Sequence, residues 1–253
     1  MKLEIATLPQ LLRKHAHANP NRLSQRHKQR GIWREYSFAD VQRNVREIAL
    51  GMHQAGVKAG ETIAIIGENE PQHYWAEYAA HALGCKVVSM YPDLTSEEVA
   101  YLLDDSEAVI LFAQDQEQVD KGLDVRNKTL KMRHIVYWDE TGMWSYNDPI
   151  LQTFDGMQRQ GREIHQRNGK MYDALVDAGA PDDIAVLSYT SGTTGQPKGV
   201  ILTHRFLIDN AQRLIDSMDV RPGMEYLSYI APSWATEQIY GITMGLGLPM
   251  VVN

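Results

Sequence analysis

Short apolar runs alternate with segments of helical periodicity along most of the chain. Runs rich in β-branched and other apolar residues predict strands at residues 62–66, 86–90, 108–112, 134–137, 184–189 and 226–230. Their continuous apolar character is typical of strands that are covered on both faces. Because these strands alternate with helical segments, we expect an α/β fold with largely parallel β-sheets covered by helices.

The helical segments lie between these strands. In residues 38–55, spacings of three and four residues place the apolar positions on one helix face, with Ser37 suited to the N-cap and Gly56 to the stop. Those apolar positions are Phe38, Val41, Val45, Ile48 and Met52. We expect a second helix at residues 72–83. A capping box formed by Thr95 and Glu98 predicts the start of a third helix, and residues 150–166 have the pattern of an amphipathic helix.

A polar stretch with several glycines, residues 139–181, divides this pattern. We expect it to connect an N-terminal α/β lobe, residues 1–180, to the start of a second α/β lobe, residues 181–253. The last residues, 250–253, have the pattern of a strand, so we expect the natural chain to continue beyond Asn253.

Composition and charge narrow the function classes. With 43% hydrophobic and 23% charged residues, the chain is typical of a soluble globular protein. Its formal net charge of -7 argues against a nucleic-acid binder, which usually carries a basic stripe, but it permits a local phosphate site. The single cysteine, Cys85, allows no intrachain disulfide and sits in an apolar run, which predicts a small buried side chain and a reducing compartment. There is no signal-peptide pattern and no long apolar run, so we expect a cytoplasmic protein.

One loop carries a clear chemical pattern. Residues 188–199 combine glycines, hydroxyl groups and one cation, Lys198. Glycines let backbone N–H groups converge on an anion, hydroxyls add donors without bulk, and a lysine places positive charge beside a phosphate. The loop is not a Walker A motif, because Lys198 follows Pro197 and precedes Gly199, and it contains no G-x-G-x-x-G fingerprint.

The string Thr190-Ser-Gly-Thr-Thr-Gly-Gln-Pro-Lys-Gly199 resembles the phosphate-binding signature of the adenylate-forming superfamily. This superfamily includes acyl-CoA synthetases, nonribosomal peptide adenylation domains and firefly luciferase. Residues 31–40 and 56–69 are similar to its early segments, so the resemblance covers essentially the whole chain. Residues 117–121 and 138–142 look most like the long-chain fatty acyl-CoA synthetase branch.

The resemblance implies a two-step reaction. ATP and a carboxylic acid form an acyl-adenylate and pyrophosphate, and coenzyme A then attacks the adenylate, while Mg2+ screens the phosphate charge. Lys198 would be catalytic, because it would stabilise the departing pyrophosphate. The residues that would bind the β- and γ-phosphates are Thr190, Ser191, Gly192, Thr193, Thr194, Gly195 and Lys198.

A second motif, residues 231–238, is similar to a family segment that often has the pattern Pro-Leu-x-His-x-x-Glu. The resemblance implies that Trp234 stands at the aromatic or histidine position and Glu237 at the acidic, catalytic position. Trp234 and Tyr240 would line the acyl pocket. The alternatives are core packing for Trp234 and Tyr240, and a helix N-terminal acid for Glu237. The nine histidines form no metal-ligand pattern, so we assign no metal-binding residues.

Three functions stay open at this point. The leading hypothesis is a long-chain fatty acid–CoA ligase; the second changes the acid to an aryl, medium-chain or amino acid. The third is a phosphate- or partner-binding protein without catalysis. In the family, later segments and a C-terminal domain complete the active site, so we expect that remainder as a partner and expect residues 1–253 alone to be inactive. Long-chain acids partition into bilayers, but no basic amphipathic helix indicates membrane association.

Overall fold

The computed structural model describes residues 2–3, 6–190 and 196–253. Its main helices are α1 (Leu8–Ala18), α2 (Phe38–Gln54), α3 (Pro71–Ala82), α4 (Ser96–Asp105), α5 (Gln116–Val125), α6 (Phe154–Arg167), α7 (Met171–Ala178) and α8 (His204–Ser217). The short elements are 3-10 turns at Arg126–Lys128 and Met143–Ser145, helical turns at Ala235–Glu237 and Gly245–Gly247, and a π-helix at Gln238–Met244.

The strands are β1 (Leu23–Gln29), β2 (Ile32–Ser37), β3 (Thr62–Ile66), β4 (Lys86–Met90), β5 (Ala108–Ala113), β6 (His134–Tyr137), β7 (Leu151–Thr153), β8 (Ile184–Thr190), β9 (Lys198–Thr203), β10 (Glu225–Tyr226) and β11 (Val251–Val252). They form a seven-stranded sheet in the order β7-β6-β5-β3-β4-β8-β9 and a four-stranded sheet in the order β10-β11-β1-β2. Neighbouring strands are parallel except in the pairs β8–β9 and β1–β2. The predicted α/β fold with largely parallel sheets is therefore confirmed.

Side chains of the central strands alternate between two cores. On β3, Ile63 and Ile65 join the larger core with α2, α3 and α6, whereas Ala64 and Ile66 join a second core with α4 and α5. This alternation follows from the two-residue period of a strand. All four side chains are fully buried, as the continuous apolar run predicts. Cys85 is also buried, in agreement with its sequence context.

Helix α3 contacts both sheets. Every residue of this helix except Gln72 is buried. The Trp75 indole N–H donates to the Gln25 side chain on β1 at 2.8 Å, and His81 Nε2 lies 3.0 Å from the Ala185 carbonyl on β8. Polar groups on a helix that is buried on all sides need partners inside the protein, and these two side chains of α3 find theirs in separate elements.

Local capping explains several helix starts. Ser37 and Thr95 each form a capping box with the residue three positions later, and Thr203 accepts a hydrogen bond from the Phe206 amide at 3.1 Å. The capping box predicted at Thr95 and Glu98 is confirmed.

Two predicted boundaries are wrong. The helix expected at residues 150–166 begins only at Phe154, because residues 151–153 pair with β6 and Thr153 caps the helix by accepting from the Gly156 amide at 3.0 Å. The strand expected at residues 226–230 ends at Tyr226. Beyond it the Asn69 side chain, and not a neighbouring strand, binds the Ile230 carbonyl at 2.7 Å.

The hairpin β1–β2 was not predicted, because its sequence is mostly polar and its second strand is largely exposed. The seven-stranded sheet continues across residue 181, since β8 pairs with β4 and with β9. The division into lobes at residues 1–180 and 181–253 stays a prediction. Within the part of the chain that the structure describes, no helix has both the length and the apolar character needed to cross a membrane.

Helices α2 and α6 approach each other closely at two glycines. A Cβ atom on Gly161 would lie 1.8 Å from the Glu47 carbonyl oxygen, and one on Gly51 would lie 2.4 Å from the Met157 carbonyl oxygen. Beside this contact, the Arg162 guanidinium binds both carboxylate oxygens of Glu47, at 3.1 and 2.9 Å. The separation of the two helices is therefore set by backbone atoms.

Replacement of Gly161 by alanine should destabilise the protein by about 1–3 kcal/mol, because the added methyl group forces two backbones apart. Equilibrium unfolding in urea measures this change. The matched control is Gly169→Ala, where the nearest atom would lie 3.8 Å from the new Cβ and little loss of stability is expected. Equal stabilities of the two variants would contradict the close-contact interpretation.

Candidate active site

The two ends of the predicted phosphate-binding loop meet at one edge of the seven-stranded sheet. Thr190, the last residue of β8, is the backbone partner of Lys198, the first residue of β9. Both side chains are exposed. In open α/β sheets, ligands bind at the carboxyl ends of parallel strands, and Thr190 lies at such an end.

The structure does not describe the middle of the loop. The predicted phosphate-binding residues Ser191, Gly192, Thr193, Thr194 and Gly195 lie outside the described residues. Of the predicted set, Thr190 and Lys198 are therefore the two whose positions are known.

Glu237 lies in a buried hydrogen-bond network. Its side chain is fully buried. The Tyr74 and Ser228 hydroxyls donate to Oε1 at 2.6 and 2.7 Å, and the Tyr226 hydroxyl donates to Oε2 at 2.6 Å. Burial raises the pKa of Glu237, and the three hydroxyl donors oppose that rise because they favour the carboxylate.

The backbone around Glu237 is shaped to admit this carboxylate. Glu237 ends the short helical turn Ala235–Glu237, and the π-helix Gln238–Met244 follows it. A Cβ atom on Gly241 would lie 1.8 Å from Glu237 Oε1, so a larger residue there would displace the carboxylate. π-helical turns are rare and occur frequently at functional sites.

A second buried carboxyl group, Glu77, lies on α3 next to this network. Its Oε2 accepts a hydrogen bond from Gln238 Nε2 at 3.2 Å, and the same amide donates to the Pro232 carbonyl at 2.9 Å. Burial raises the pKa of Glu77 to about 8, while hydrogen bonds from Gln238 and Ser89 oppose the rise. Glu77 is thus largely protonated at neutral pH.

The predicted acyl-pocket residues occupy the segment around Glu237. Trp234 is 55% exposed, and Tyr240 is half-buried against the larger core. Leu227 and Tyr229, in the preceding segment, are also exposed, at 67% and 76%. Trp234 is therefore an exposed side chain rather than a part of the core.

The structure groups the predicted site residues into two sets. Thr190 and Lys198 lie on the seven-stranded sheet, whereas Trp234, Glu237 and Tyr240 follow β10 of the four-stranded sheet. Among the described residues, no cluster of three or more His, Cys, Asp or Glu side chains is arranged to hold a metal ion.

Sequence reasoning missed the partners of Glu237. Tyr74 is 163 residues away along the chain, and its bond depends on the packing of α3. One signal was available: Tyr74 and Tyr78 flank Glu77 on a helix whose other residues are mostly apolar or small. Polar groups on such a helix are buried and need partners.

Replacement of Glu77 by glutamine should remove one contribution to the pH dependence of stability. At Glu77 the native protein retains a proton that the unfolded chain releases between 4.5, the ordinary pKa, and about 8. The contribution of Glu77 to the free energy of unfolding is therefore largest below that range and is lost as the pH rises through it, whereas buried His73, whose pKa is lowered to about 3, contributes in the opposite direction. Urea unfolding near the two limits should show that the free energy of unfolding of the wild-type protein, taken relative to that of Glu77→Gln, falls as the pH rises. The control, Glu140→Gln, changes an exposed carboxylate and should keep the wild-type slope. Identical slopes for Glu77→Gln and the wild type would refute the assignment.

Curated proteins that match this chain include long-chain-fatty-acid–CoA ligases and a probable acyl-activating enzyme. The chain is 25% identical to the long-chain-fatty-acid–CoA ligase heimdall of Drosophila melanogaster, over 85% of this chain and 32% of that protein. It is 26% identical to the human long-chain-fatty-acid–CoA ligase ACSBG1, over 87% of this chain and 30% of that protein. It is 29% identical to the probable acyl-activating enzyme 16 of Arabidopsis thaliana, over 79% of this chain and 28% of that protein. The chain thus spans about 30% of the length of these relatives.

Solved structures share the fold. The anthranilate CoA ligase AuaEII, in complex with anthranoyl-AMP, superposes with a TM-score of 0.80 at 18% identity, covering 99% of this chain and 45% of that one. The acetoacetyl-CoA synthetase of Streptomyces lividans gives a TM-score of 0.76 at 19% identity, covering 97% and 38% of the two chains. The model of the AMP-binding enzyme family matches residues 12–251, and the chain therefore belongs to that family.

Proposed function

We propose that this chain supplies the phosphate-binding part of the active site in an ATP-dependent, AMP-forming ligase that joins a long-chain fatty acid to coenzyme A. The observation that carries the proposal is the phosphate-binding sequence at residues 190–199, whose ends meet at the carboxyl end of β8. The long-chain acid is supported by relatives that bear that name at 25–26% identity.

In the first step, a carboxylate oxygen of the acid attacks the α-phosphorus of ATP. The bond from that phosphorus to the bridging oxygen breaks, and pyrophosphate leaves with the negative charge. Lys198 would stabilise this charge, since a cation close to a leaving phosphate acts most strongly in the transition state. Thr190 and residues 191–195 would add hydroxyl and backbone N–H donors.

In the second step, the thiol sulfur of coenzyme A attacks the acyl carbon and gives up its proton to solvent. The bond from that carbon to the phosphate oxygen breaks, and AMP leaves with that oxygen. The described residues do not form a cage for Mg2+. Because Mg2+ commonly binds nucleotide phosphates and keeps several waters, we propose that it enters with ATP, and we assign no protein ligands. The C-terminal remainder of the protein would complete the site, and the inactivity of residues 1–253 alone stays a prediction, as does a cytoplasmic location.

Trp234 and Tyr240 are proposed to border the acyl chain. The exposed indole of Trp234 lies near the exposed side chains of Leu227 and Tyr229 in sequence, and such a surface suits an alkyl substrate. We propose that Glu237 acts indirectly, by holding neighbouring hydroxyl groups in place. Both of its oxygens already accept hydrogen bonds, so its effect on substrate would pass through Tyr226 and Ser228.

Replacement of Lys198 by methionine should lower the rate of acid-dependent ATP–pyrophosphate exchange by about 10²-fold, because a charge that stabilises the leaving group is lost. Incorporation of labelled pyrophosphate into ATP by the full-length natural protein measures this rate. Lys170→Met, at another exposed lysine, is the matched control and should leave exchange unchanged.

The acids tested would be long-chain, medium-chain, aryl and amino acids. If a shorter or aromatic acid supports faster ATP–pyrophosphate exchange than a long-chain acid, the proposed substrate is wrong and that acid takes its place. If none of these acids supported exchange, the chain would instead belong to a protein that binds phosphate or a partner without catalysis.

Replacement of Trp234 by alanine should raise the KM for a long-chain acid roughly tenfold while changing the KM for ATP little, because apolar contact with the alkyl chain is lost. Steady-state kinetics with each substrate varied in turn measures both constants. Trp144→Ala, which removes an 86% exposed indole elsewhere, serves as control. An equal change in both KM values would count against a place in the acyl pocket.

A further inference from the structure

Helix α4 contacts both ends of the phosphate-binding loop. Tyr101 and Asp105 are four residues apart on this helix, so they lie on the same helix face. Each makes one hydrogen bond to a different arm of the β8–β9 hairpin. The sequence predicted this helix from its capping box but indicated no role for it at the phosphate-binding loop.

Tyr101 holds the arm that leads into β9. Its hydroxyl donates to the Pro197 carbonyl oxygen at 2.7 Å. Pro197 directly precedes Lys198, the proposed catalytic cation. The Tyr101 ring packs against the core beneath α4, so the hydroxyl projects from a supported position.

Asp105 holds the other arm. Its Oδ2 accepts a hydrogen bond from the Tyr189 hydroxyl at 2.6 Å, and Tyr189 precedes Thr190. The Tyr189 ring also covers the backbone of Gly199, where an added Cβ would lie 3.3 Å from the ring carbon that bears the hydroxyl. Tyr189 and Gly199 are backbone partners as well, so this one ring orders the residues next to both Thr190 and Lys198.

The helix is well suited to act as a fixed support. Thr95 and Glu98 cap its first turn, and Val99, Leu102 and Leu103 are buried in the core between the helix and the sheet. These contacts leave α4 little freedom to move relative to β4 and β5.

Helix α4 does not resemble a phosphate site itself. The groove between its first turns and the segment Gln196–Pro197 is lined by the acidic side chains of Glu97 and Glu98, which would repel an anion. Asp105 is acidic too. The influence of this helix on a bound nucleotide must therefore be indirect.

We propose that Tyr101 and Asp105 are positioning residues that fix the two arms of the phosphate-binding loop and so place Lys198 and Thr190 before ATP binds. This inference rests on the proposed function, in which the loop binds the phosphates of ATP. Without these bonds the arms keep only their strand pairing, and the order that they lose must be restored when ATP binds, which weakens binding. The proposal gives neither residue a contact with the nucleotide or with the reacting atoms.

The test uses Tyr101→Phe and Asp105→Ala in the full-length natural protein. Loss of one hydrogen bond of ordinary strength should raise the KM for ATP about fivefold, while kcat changes less than about twofold. Hydrogen–deuterium exchange, measured without ligand, should be about fivefold faster in the peptides that contain residues 186–190 and 196–202. Asp105→Asn, which keeps an acceptor oxygen for Tyr189, should restore both values toward those of the wild type.

Two matched controls accompany these variants. Asp104→Ala removes a neighbouring carboxylate that is exposed on the same helix and makes no side-chain hydrogen bond within the described part of the chain. Tyr172→Phe removes a hydroxyl that has no hydrogen-bond partner among the described residues. Both variants should leave the KM for ATP and the hydrogen–deuterium exchange of the hairpin peptides unchanged.

The outcomes distinguish a failure of the inference about α4 from a failure of the proposed function. If Tyr101→Phe and Asp105→Ala lower only the thermal midpoint, with unchanged exchange in the hairpin peptides, the two residues are merely structural and the inference is wrong. If hydrogen–deuterium exchange in the hairpin peptides becomes faster in the variants, but the wild-type protein catalyses no ATP–pyrophosphate exchange with any acid, α4 supports the hairpin and the proposed function fails. Faster hydrogen–deuterium exchange together with a raised KM for ATP supports both the inference about α4 and the proposed function.

Discussion

Helix α3 is buried between the two sheets, and several of its polar side chains bond to partners in separate elements, which fixes its position against both sheets. Trp75 binds β1 of the four-stranded sheet, and His81 lies against the carbonyl of β8 in the seven-stranded sheet. Tyr78 donates to the Ile242 carbonyl in the π-helix at 2.9 Å. An unpaired buried group costs about 1–3 kcal/mol, so these bonds select one docking of α3 among those that hydrophobic burial alone permits.

The same constraint links the two sets of site residues. Tyr74 on α3 donates to Glu237, which follows β10, whereas His81 on α3 contacts β8, which ends at Thr190. Helix α3 is therefore in contact with elements that carry both sets of site residues. The buried carboxylate of Glu237 is costly to desolvate, and three hydroxyl donors offset that cost.

Sequence reasoning predicted the parts of the fold that local patterns determine. The continuous apolar runs located β3 and β4 with the bounds that the structure has, and the capping box at Thr95 located the start of α4. It failed at residues 226–230, where the pairing with β11 ends at Tyr226 and the Ile230 carbonyl accepts a hydrogen bond from the Asn69 side chain. It also missed the hairpin β1–β2, whose pairing with β11 depends on residues more than 200 positions away.

The candidate site likewise contains residues that a local pattern predicts and contacts that it does not. A contiguous motif identified Lys198 and the residues around it, since phosphate chemistry requires those residue types in close succession. The partners of Glu237 and the contacts of α4 with the loop are non-local. Tyr101 and Pro197 are separated by 96 positions, and no periodicity in the sequence relates them.

The glycine contact between α2 and α6 has a mechanical consequence. A hinge requires a segment whose backbone can rotate without breaking its packing, and the polar stretch at residues 139–181 has the composition of one. Helix α6 occupies the middle of that stretch and is seated on α2 with its backbone against the Glu47 carbonyl. Because no side chain separates the two backbones at this contact, we expect α2 and α6 to move as one body.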